Sequence, residues 1–398
     1  MISVDEAVSR VVALLQPIES ETIAIDRAFG RVLADDALAR MTQPPAPVSA
    51  MDGYAVHTAD VAAPPATLPV VGSSPAGHPY EKPQARGEAV RIFTGGVVPH
   101  GADGIVIQED AVAHGDFVTL NTTPNPGKHI RAAGLDFKEG DVLARAGRRL
   151  TARDVSLLAA ADLASVSVRR KPRIAIAATG DELFRPGEAR RPGGIVASSG
   201  YALRPMIENW GGETIDLGIF PDDADAIATI ADKTADADLL VTLGGASVGD
   251  HDLIQKALAP RGFALDFWKI AMRPGKPLIF GHLGKTPLLG LPGNPVSTFV
   301  CAVLFLRPAI AALLRADMTT PLISAKLTHS LPANDARQDY MRAKLLLKGG
   351  EYWTDVFDLQ DSSMLGTLAR ADALVFRAPY APALGCGDRI DVMPLADL

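Results

Sequence analysis

The stretch RIAIAATGDE, residues Arg173–Glu182, decides the fold of this chain. Its apolar run at 174–177 is short and continuous, as in a parallel strand that is covered on both faces. Beyond it, strand and helix patterns alternate as far as residue 318. This alternation predicts a doubly wound α/β domain over residues 171–318. We predict its further helices at 200–209, 223–234, from 252 and from 295, and its further strands at 214–219, 238–243, 277–280 and 287–291.

The chain on both sides of this domain is richer in short strands. Residues 46–139 carry short apolar segments between glycine and proline turns, which indicates a β-rich domain. Residues 319–398 contain short runs of alternating polar and apolar positions, which indicates a β-barrel-like C-terminal domain. The segments 1–45 and 140–170 mix helix and strand signals, and we assign them to one interleaved α+β linker domain. The sequence therefore predicts an α/β multidomain protein.

Three helix signals stand out. Ser3 and Glu6 form a predicted capping box for a first helix, and Thr151 caps a second helix that runs to residue 163. The apolar stretch 296–314 is long enough to cross a membrane. It contains an arginine followed by Pro308 near its middle, so we predict a kinked and buried helix. We expect no membrane partner.

Composition and charge argue against several classes of protein. A chain of 398 residues suggests two to four domains, at roughly 100–200 residues each. The net charge of -7 argues against nucleic acid as a partner, because phosphate neutralisation needs a basic surface. The two cysteines, Cys301 and Cys386, form no CxxC pair, so neither a disulfide framework nor a zinc site is expected. The N-terminus has no signal-peptide pattern, and we expect a cytoplasmic location.

The glycine-rich loop after the strand at 238–243 is the first candidate site. Ligands of open α/β sheets bind beyond the carboxyl ends of the strands. Gly244, Gly245 and Gly249 would let the backbone approach an anion closely, and Ser247 adds a hydroxyl donor. A plain strand-to-helix turn explains one such loop equally well. The sequence has three such polar or glycine-rich corners after predicted strands, Thr179–Glu182, Gly244–Asp252 and Leu291–Pro295. Their position at the same edge of the sheet favours a binding site.

A second corner is Leu291–Pro295, with the sequence LPGNP. Asn294 is the predicted N-cap of the next helix, and Pro295 occupies the first helical position. Proline at that position fixes the start of the helix. We therefore predict a rigid corner beside the glycine loop.

Three acids, Glu182, Asp222 and Asp252, follow predicted strand ends. Clustered carboxylates raise one another's pKa unless a cation neutralises them, and oxygen-only clusters beside phosphate sites commonly hold Mg²⁺. Helix capping is an alternative role for Asp222. Arg273 and Lys276 lie in a proline-stiffened loop that would present two cations to an anion, or form a solvated turn.

Six segments carry a family resemblance: Ser49–Ala55, Thr94–Gly95, Thr179–Glu182, Gly244–Asp250, Arg273–Pro277 and Leu291–Pro295. In this order they resemble the MoeA family of molybdopterin molybdenumtransferases, whose eukaryotic counterpart is the E domain of gephyrin. The resemblance covers nearly the whole chain. Two departures are Ala246, where valine is frequent, and Arg273, where lysine is common and the geometry of the charge therefore differs.

The resemblance implies a four-domain subunit whose α/β domain is similar to the MogA/MoaB fold. It implies an elongated homodimer, held in part by the linker domain. The active cleft would lie between the α/β domain and the second domain of the other subunit. The implied reaction takes adenylylated molybdopterin and molybdate as substrates. With Mg²⁺ or another divalent cation it cleaves the phosphoanhydride and releases AMP and molybdenum cofactor.

The resemblance also assigns roles to residues at matching positions. Catalytic roles fall on Asp52, Glu182, Asp252 and Lys276, and the metal-side acids are Glu182, Asp222 and Asp252. Arg342 and Ser362 match positions associated with molybdate. Together with the residues at the strand ends, the predicted substrate-binding set is Thr94, Arg131, Asp136, Gly244, Gly245, Ser247, Gly249, Arg273, Pro292, Asn294, Pro295, Ser297, Arg342 and Ser362.

Two other functions are compatible with part of this pattern. The adenylyltransferase that makes the activated pterin shares the glycine-loop domain, but it needs only the α/β unit. A gephyrin-like scaffold without catalysis would not need the acid cluster. Insertion of molybdenum remains the favoured function, and the adenylyltransferase and other cofactor-biosynthesis proteins are the expected protein partners.

Overall fold

The computed structural model describes residues 1–245, 253–317 and 322–395. The part before residue 171 consists of short strands and two helices, with single 3₁₀ turns between them. Its elements are α1 (Val4–Leu14), β1 (Ser20–Ala24), β2 (Ala37–Leu38), β3 (Val48–Ser49), β4 (Gly53–Val56), β5 (Ala66–Ser74), β6 (Ala89–Ile92), β7 (Gly104–Ile107), β8 (Ala111–His114), β9 (Phe117–Leu120), β10 (Ile130–Arg131), β11 (Val142–Ala144), α2 (Ala152–Ala160) and β12 (Ser165–Arg169).

These strands form one large sheet and several small ones. The large sheet has the order β7-β4-β6-β5-β9-β8 and is the β-rich domain. Strand β1 pairs with β12, and β2 pairs with β11, both antiparallel. These two pairings form two separate two-stranded sheets that join the segment before about residue 40 to the segment after about residue 140, as expected when two chain segments contribute to one domain. The precise limits of the domains stay predictions.

The two front helices differ in how they are capped. At α2, Thr151 and Asp154 form a complete capping box. At α1, Ser3 Oγ accepts from the Glu6 amide at 3.1 Å, but the Glu6 carboxylate accepts from Arg10 at 2.6 Å. The predicted capping box at α1 is therefore only half formed, because an i,i+4 ion pair takes the glutamate.

Residues 171–317 form the α/β domain. A 3₁₀ turn, Thr229–Lys233, follows its second helix, where one longer helix was predicted. Its elements are β13 (Arg173–Thr179), β14 (Leu183–Phe184), β15 (Ile195–Val196), α3 (Ser199–Asn209), β16 (Glu213–Phe220), α4 (Ala224–Ala228), β17 (Leu239–Leu243), α5 (Leu253–Leu258), β18 (Phe263–Trp268), β19 (Met272–Arg273), β20 (Ile279–Leu283), β21 (Thr286–Leu291), α6 (Pro295–Cys301) and α7 (Arg307–Leu314).

The main sheet of this domain has the order β16-β13-β17-β21-β20-β18. The first four strands are parallel, and β20 and β18 are antiparallel. Helices α1, α3, α6 and α7 cover one face, and α4 and α5 cover the other. Burial on both faces explains the continuous apolar run in β13. The doubly wound class is confirmed, with an antiparallel edge that the sequence pattern did not predict.

One helical stretch in the described part of the chain, 295–314, is long and apolar enough to cross a membrane, but 67% of its apolar window is buried inside the protein. Residues Ala302–Leu306 form a π-helical segment immediately before α7. The ring of a helical proline clashes with the carbonyl group four residues earlier. For Pro308 that residue is Leu304, and the π segment opens the helix there. The predicted burial of this helix is confirmed, and the π segment lies where the kink was predicted.

The C-terminal domain is a closed barrel. Five strands follow one another in the order β23-β24-β22-β26-β25, and β25 pairs again with β23. Strand β19 of the preceding segment adds to β23 in parallel. The predicted β-barrel-like domain is confirmed. Its elements are β22 (Ile323–Leu327), β23 (Gln338–Lys348), β24 (Glu351–Val356), α8 (Leu365–Ala369), β25 (Ala373–Arg377) and β26 (Arg389–Pro394).

Candidate functional site

A cavity of about 1340 Å³ opens at the carboxyl ends of the parallel strands β13, β17 and β21. Each of these strands runs into one of the corners predicted from the sequence. Their meeting at one edge follows from the parallel pairing of the three strands. The predicted site residues that line the cavity are Glu182, Asp222, Gly244, Gly245, Pro292, Asn294 and Pro295.

The glycine corner is shaped by two left-handed residues. Gly244 has φ +88°, and a Cβ added there would stand 2.7 Å from the Thr179 carbonyl oxygen. Gly245 has φ +66°, and a Cβ there would meet Ile254 Cγ1 at 2.5 Å. Only glycine fits both the conformation and the space. Ser247, Gly249 and Asp252 lie outside the described residues.

The Gly244 amide has a structural partner. It donates to the Leu291 carbonyl group at 3.2 Å, which ties the corner after β17 to the end of β21. A main-chain bond thus already uses this amide, so it is not free to bind an anion. Gly244 instead serves by its shape.

Two acids face the cavity, and their neighbours hold the local turns. The Asp222 amide donates to Asp181 Oδ1 at 3.1 Å, and Asp223 Oδ1 accepts from the Ala226 amide at 2.8 Å as the N-cap of α4. The capping role considered for Asp222 therefore belongs to Asp223. The carboxylates of Glu182 and Asp222 both remain exposed at the cavity wall.

The fit of this acid pair to a metal ion can be judged from its donor atoms. Carboxylate oxygens are the ligands that Mg²⁺ prefers. Over residues 1–245, 253–317 and 322–395, no group of three or more His, Cys, Asp or Glu side chains is close enough to hold a metal. The carboxylate oxygens of Glu182 and Asp222 are suitable Mg²⁺ ligands, but these two residues alone would supply only part of a metal site.

The corner at the start of α6 is held by the C-terminal domain. Asn294 is the N-cap residue, but its side chain makes no capping bond and instead donates to Ser362 Oγ at 2.9 Å. The Val296 amide donates to the Ser362 carbonyl group at 3.1 Å. The predicted capping by Asn294 is corrected in this respect. Ser362 joins the barrel to the cavity rim across 68 positions of sequence.

Arg342 lies in the barrel and binds the residues that immediately precede Ser362. Its side chain is 1% exposed, and it donates to Gln360 Oε1 at 3.1 Å and to the Asp361 carbonyl group at 2.9 Å. Burial lowers the pKa of the Arg342 guanidinium. Arg342 is not among the residues that line the cavity, so in this chain it orders the turn that leads to Ser362. Ser363, which the sequence reasoning missed, does line it.

The two predicted cations, Arg273 and Lys276, are not part of the cavity wall. Arg273 pairs with Asp335 at 3.4 Å and with the buried Asp339 in the C-terminal domain. Arg337 first, and Arg273 more weakly, lower the pKa of Asp335 to about 2. Lys276 is exposed and makes no ion pair within the described ranges. Neither cation is among the residues that line the cavity, although Pro277, which directly follows Lys276, does line it.

One further predicted residue is not at the cavity. Ser297 is 4% exposed within α6 and is absent from the cavity wall. Its neighbour Thr298 donates to the Pro292 carbonyl group at 2.6 Å and so stiffens the corner. Burial of the Ser297 side chain explains why it is absent from the cavity wall.

The β-rich domain carries four further predicted residues, Asp52, Thr94, Arg131 and Asp136. Asp52 Oδ1 accepts from the Thr94 amide at 2.7 Å and from the Thr94 hydroxyl at 2.8 Å. These hydrogen bonds lower the pKa of Asp52. Arg131 lies on β10, which pairs with β3, and Asp136 is exposed. None of these four residues lines the cavity of its own chain.

Comparison with known proteins agrees with this architecture. Residues 2–161 match the family described as "MoeA N-terminal region (domain I and II)", and residues 324–395 match "MoeA C-terminal region (domain IV)". Residues 175–312 match the family described as "Probable molybdopterin binding domain". Together these matches span most of the chain.

Individual relatives extend over similar lengths. The chain is 32% identical to a "Molybdopterin molybdenumtransferase" from Haemophilus influenzae, with 100% of both chains covered. It is 36% identical to one from a Nostoc species, over 84% of this chain and 79% of the relative. The crystal structure of a molybdopterin biosynthesis moeA protein from Pyrococcus horikoshii OT3 is 27% identical, with a TM-score of 0.86 over 99% of this chain and 100% of that one. The chain belongs to the MoeA family.

Proposed function

We propose that this protein transfers molybdenum from molybdate into adenylylated molybdopterin, with release of AMP and molybdenum cofactor. The single observation that carries the proposal is the cavity at which three strand-end corners and a barrel loop meet. Its volume suits a ligand larger than a simple ion, since pockets for drug-sized ligands measure roughly 300–1,000 Å³. Support also comes from full-length relatives named molybdopterin molybdenumtransferase.

The residues at the cavity have different proposed roles, according to the chemistry of their side chains. Glu182 and Asp222 would hold a divalent cation, with Mg²⁺ the ion that suits their oxygens. When bound, that ion would polarise the phosphoanhydride of the substrate. The corner built by Pro292, Asn294 and Pro295 is rigid, so it would orient the ligand with little loss of entropy. Lys276 lies next to Pro277 of the cavity wall and would supply positive charge at the rim.

The test is the release of AMP from adenylylated molybdopterin by the purified protein with Mg²⁺. We expect release to depend on molybdate, because capture of molybdenum and cleavage of the phosphoanhydride are coupled in the proposed reaction. Formation of adenylylated molybdopterin from ATP and molybdopterin, with no response to molybdate, would instead identify an adenylyltransferase. A protein inactive in both assays would favour a scaffold.

We also propose that the active unit is a homodimer in which Asp52, Thr94, Arg131 and Asp136 of one subunit complete the cavity of the other. Asp52 and Thr94 are hydrogen-bonded to each other, yet neither faces the cavity of its own chain. A second copy could bring this polar group to the cavity in a closed two-fold arrangement. A cytoplasmic location is proposed with it, as the free thiols Cys301 and Cys386 suit a reducing compartment.

Subunit complementation tests the dimer. The variants Glu182→Gln and Asp52→Asn should each be inactive alone. After random subunit exchange, the mixed dimer keeps one intact site, so about a quarter of wild-type AMP release should return. If both residues served the same chain's cavity, the mixture would stay inactive. Mixing two preparations of Glu182→Gln is the matched control.

A further inference from the structure

The positive charge of the cavity wall comes from two arginines outside the predicted site. Arg185 and Arg204 line the cavity, and no other lysine or arginine is among its described lining residues. The segments outside the described ranges, 246–252, 318–321 and 396–398, contain no lysine or arginine either. Within one chain, Arg185 and Arg204 are therefore the cations of the cavity wall itself.

The backbone that carries Arg185 is held by its neighbours, three residues after Glu182. The Arg185 amide donates to Glu188 Oε2 at 2.8 Å, and its carbonyl group accepts from the Glu188 amide at 3.1 Å. One residue earlier, the Phe184 carbonyl group accepts from the Ala197 amide at 2.9 Å. A backbone that is already ordered in this way reduces the entropy lost when the side chain binds a ligand.

The second arginine reaches the same part of the wall from helix α3. Arg204 pairs with Asp216 of β16 at 3.6 Å. Arg185 Nη2 lies 3.5 Å from the place where a Cβ would stand at Gly218, two residues further along the same strand. Asp216 and Gly218 both line the cavity. The two guanidinium groups therefore lie beside one short stretch of β16.

The ion pair between Arg204 and Asp216 leaves room for a ligand. Its side chains are 55% and 45% exposed, and an exposed pair of this kind contributes little free energy. Asp216 Oδ1 also accepts from the Gly218 amide at 2.9 Å, so the carboxylate has a second partner. A bound anion of higher charge can therefore share or replace Asp216 as the partner of Arg204.

We propose that Arg185 and Arg204 form a subsite for a tetrahedral oxyanion, either a phosphoryl group of the adenylylated pterin or molybdate. This inference rests on the proposed function, in which both oxyanions enter the cavity. The planar guanidinium group presents several N–H donors in a fork that matches such oxygens, and these charge-assisted hydrogen bonds are stronger than neutral ones. Arg185 and Arg204 thus supply the charge that the sequence predicted at Arg273.

The experiment measures the binding of AMP, adenosine and molybdate by calorimetry, with Mg²⁺ present, to the full-length protein. If the subsite takes the phosphoryl group, Arg185→Gln and Arg204→Gln should each raise the Kd for AMP about tenfold, as expected when a hydrogen bond between charged groups is lost. The Kd values for adenosine and molybdate should then stay unchanged. If the subsite takes molybdate, the same variants should raise the Kd for molybdate about tenfold and leave that for AMP unchanged.

Arg190→Gln is the matched control. Arg190 is an exposed arginine between β14 and β15, as Arg185 is, but it is not part of the cavity wall. Its variant should bind every probe as wild type does. Arg185→Lys keeps the charge and loses the planar fork, so its Kd should fall between those of wild type and Arg185→Gln. All variants should melt within about 2 °C of wild type, as expected for exposed side chains, which separates lost binding from misfolding.

The outcomes distinguish the subsite from the proposed function. Unchanged affinity for both AMP and molybdate in Arg185→Gln and Arg204→Gln, or an equal loss in Arg190→Gln, overturns the subsite, while molybdate-dependent AMP release still supports the function. A wild-type protein that binds neither AMP nor molybdate also overturns the subsite. Loss of binding confined to the two cavity variants, in a protein that releases no AMP from the adenylylated pterin, supports the subsite and overturns the function.

Discussion

Replacing Glu182 with glutamine should lower the rate of molybdate-dependent AMP release by about a hundredfold or more. The substitution keeps the shape of the side chain and removes the negative charge that would hold the divalent cation at the cavity. Stabilisation of developing charge by a metal is worth several kcal/mol, and each 1.36 kcal/mol is about a factor of ten in rate. The measurement is single-turnover AMP release at saturating Mg²⁺.

Glu208→Gln is the control for this change. Glu208 is an exposed glutamate on α3 of the same domain, and it is not part of the cavity wall. Its variant should release AMP at the wild-type rate. Both variants should unfold within about 0.5 kcal/mol of wild type, as expected for exposed side chains. Normal turnover in Glu182→Gln would remove this carboxylate from the mechanism.

Gly244→Ala should destabilise the protein by about 1–3 kcal/mol, since it forces an L side chain into the left-handed region. The added methyl group would stand 2.7 Å from the Thr179 carbonyl oxygen. That oxygen cannot move freely, because Thr179 pairs with Phe220 in the parallel sheet. The displaced corner should also reduce AMP release at least tenfold. Urea unfolding followed by the AMP assay measures both effects.

Gly293→Ala separates this strain from a general intolerance of larger residues at the cavity. Gly293 has no left-handed conformation, and among the described residues an added Cβ would meet only the Gly244 Cα at 3.6 Å, an ordinary contact distance. Its unfolding free energy should stay within about 0.5 kcal/mol of wild type. Equal stability of Gly244→Ala and Gly293→Ala would show that the corner can relax, contrary to this account.

Strand positions were predictable because burial leaves a local signature. The strands predicted at 238–243 and 287–291 agree with Leu239–Leu243 and Thr286–Leu291 to within one residue at each end. The helix at 223–234 was predicted too long, since Ala228 ends its α-helical part and Thr229 donates to the Ala226 carbonyl group. Such local side-chain bonds compete with helix continuation. The edge strand β18 was missed because most of its residues are only partly buried or exposed.

The candidate site was partly predictable for a similar reason. Glu182 and Gly244 follow strands of one parallel sheet, so their meeting at one edge follows from the order of elements alone. The partners of Arg273 did not follow from its surroundings in sequence. Asp335 and Asp339 lie more than 60 positions away and reach Arg273 only because β19 adds to the barrel strand β23.

By itself, the sequence determined the class of each domain and the corners that meet at the cavity, because apolar periodicity and glycine placement act over a few neighbouring residues. Only the tertiary structure decided which polar groups are satisfied. Ser362 holds Asn294, while Arg273 turns to the barrel. Thr179 keeps a buried hydroxyl without a partner among the described residues. Hydrogen-bond partners depend on how distant strands pack, and no local pattern records that packing.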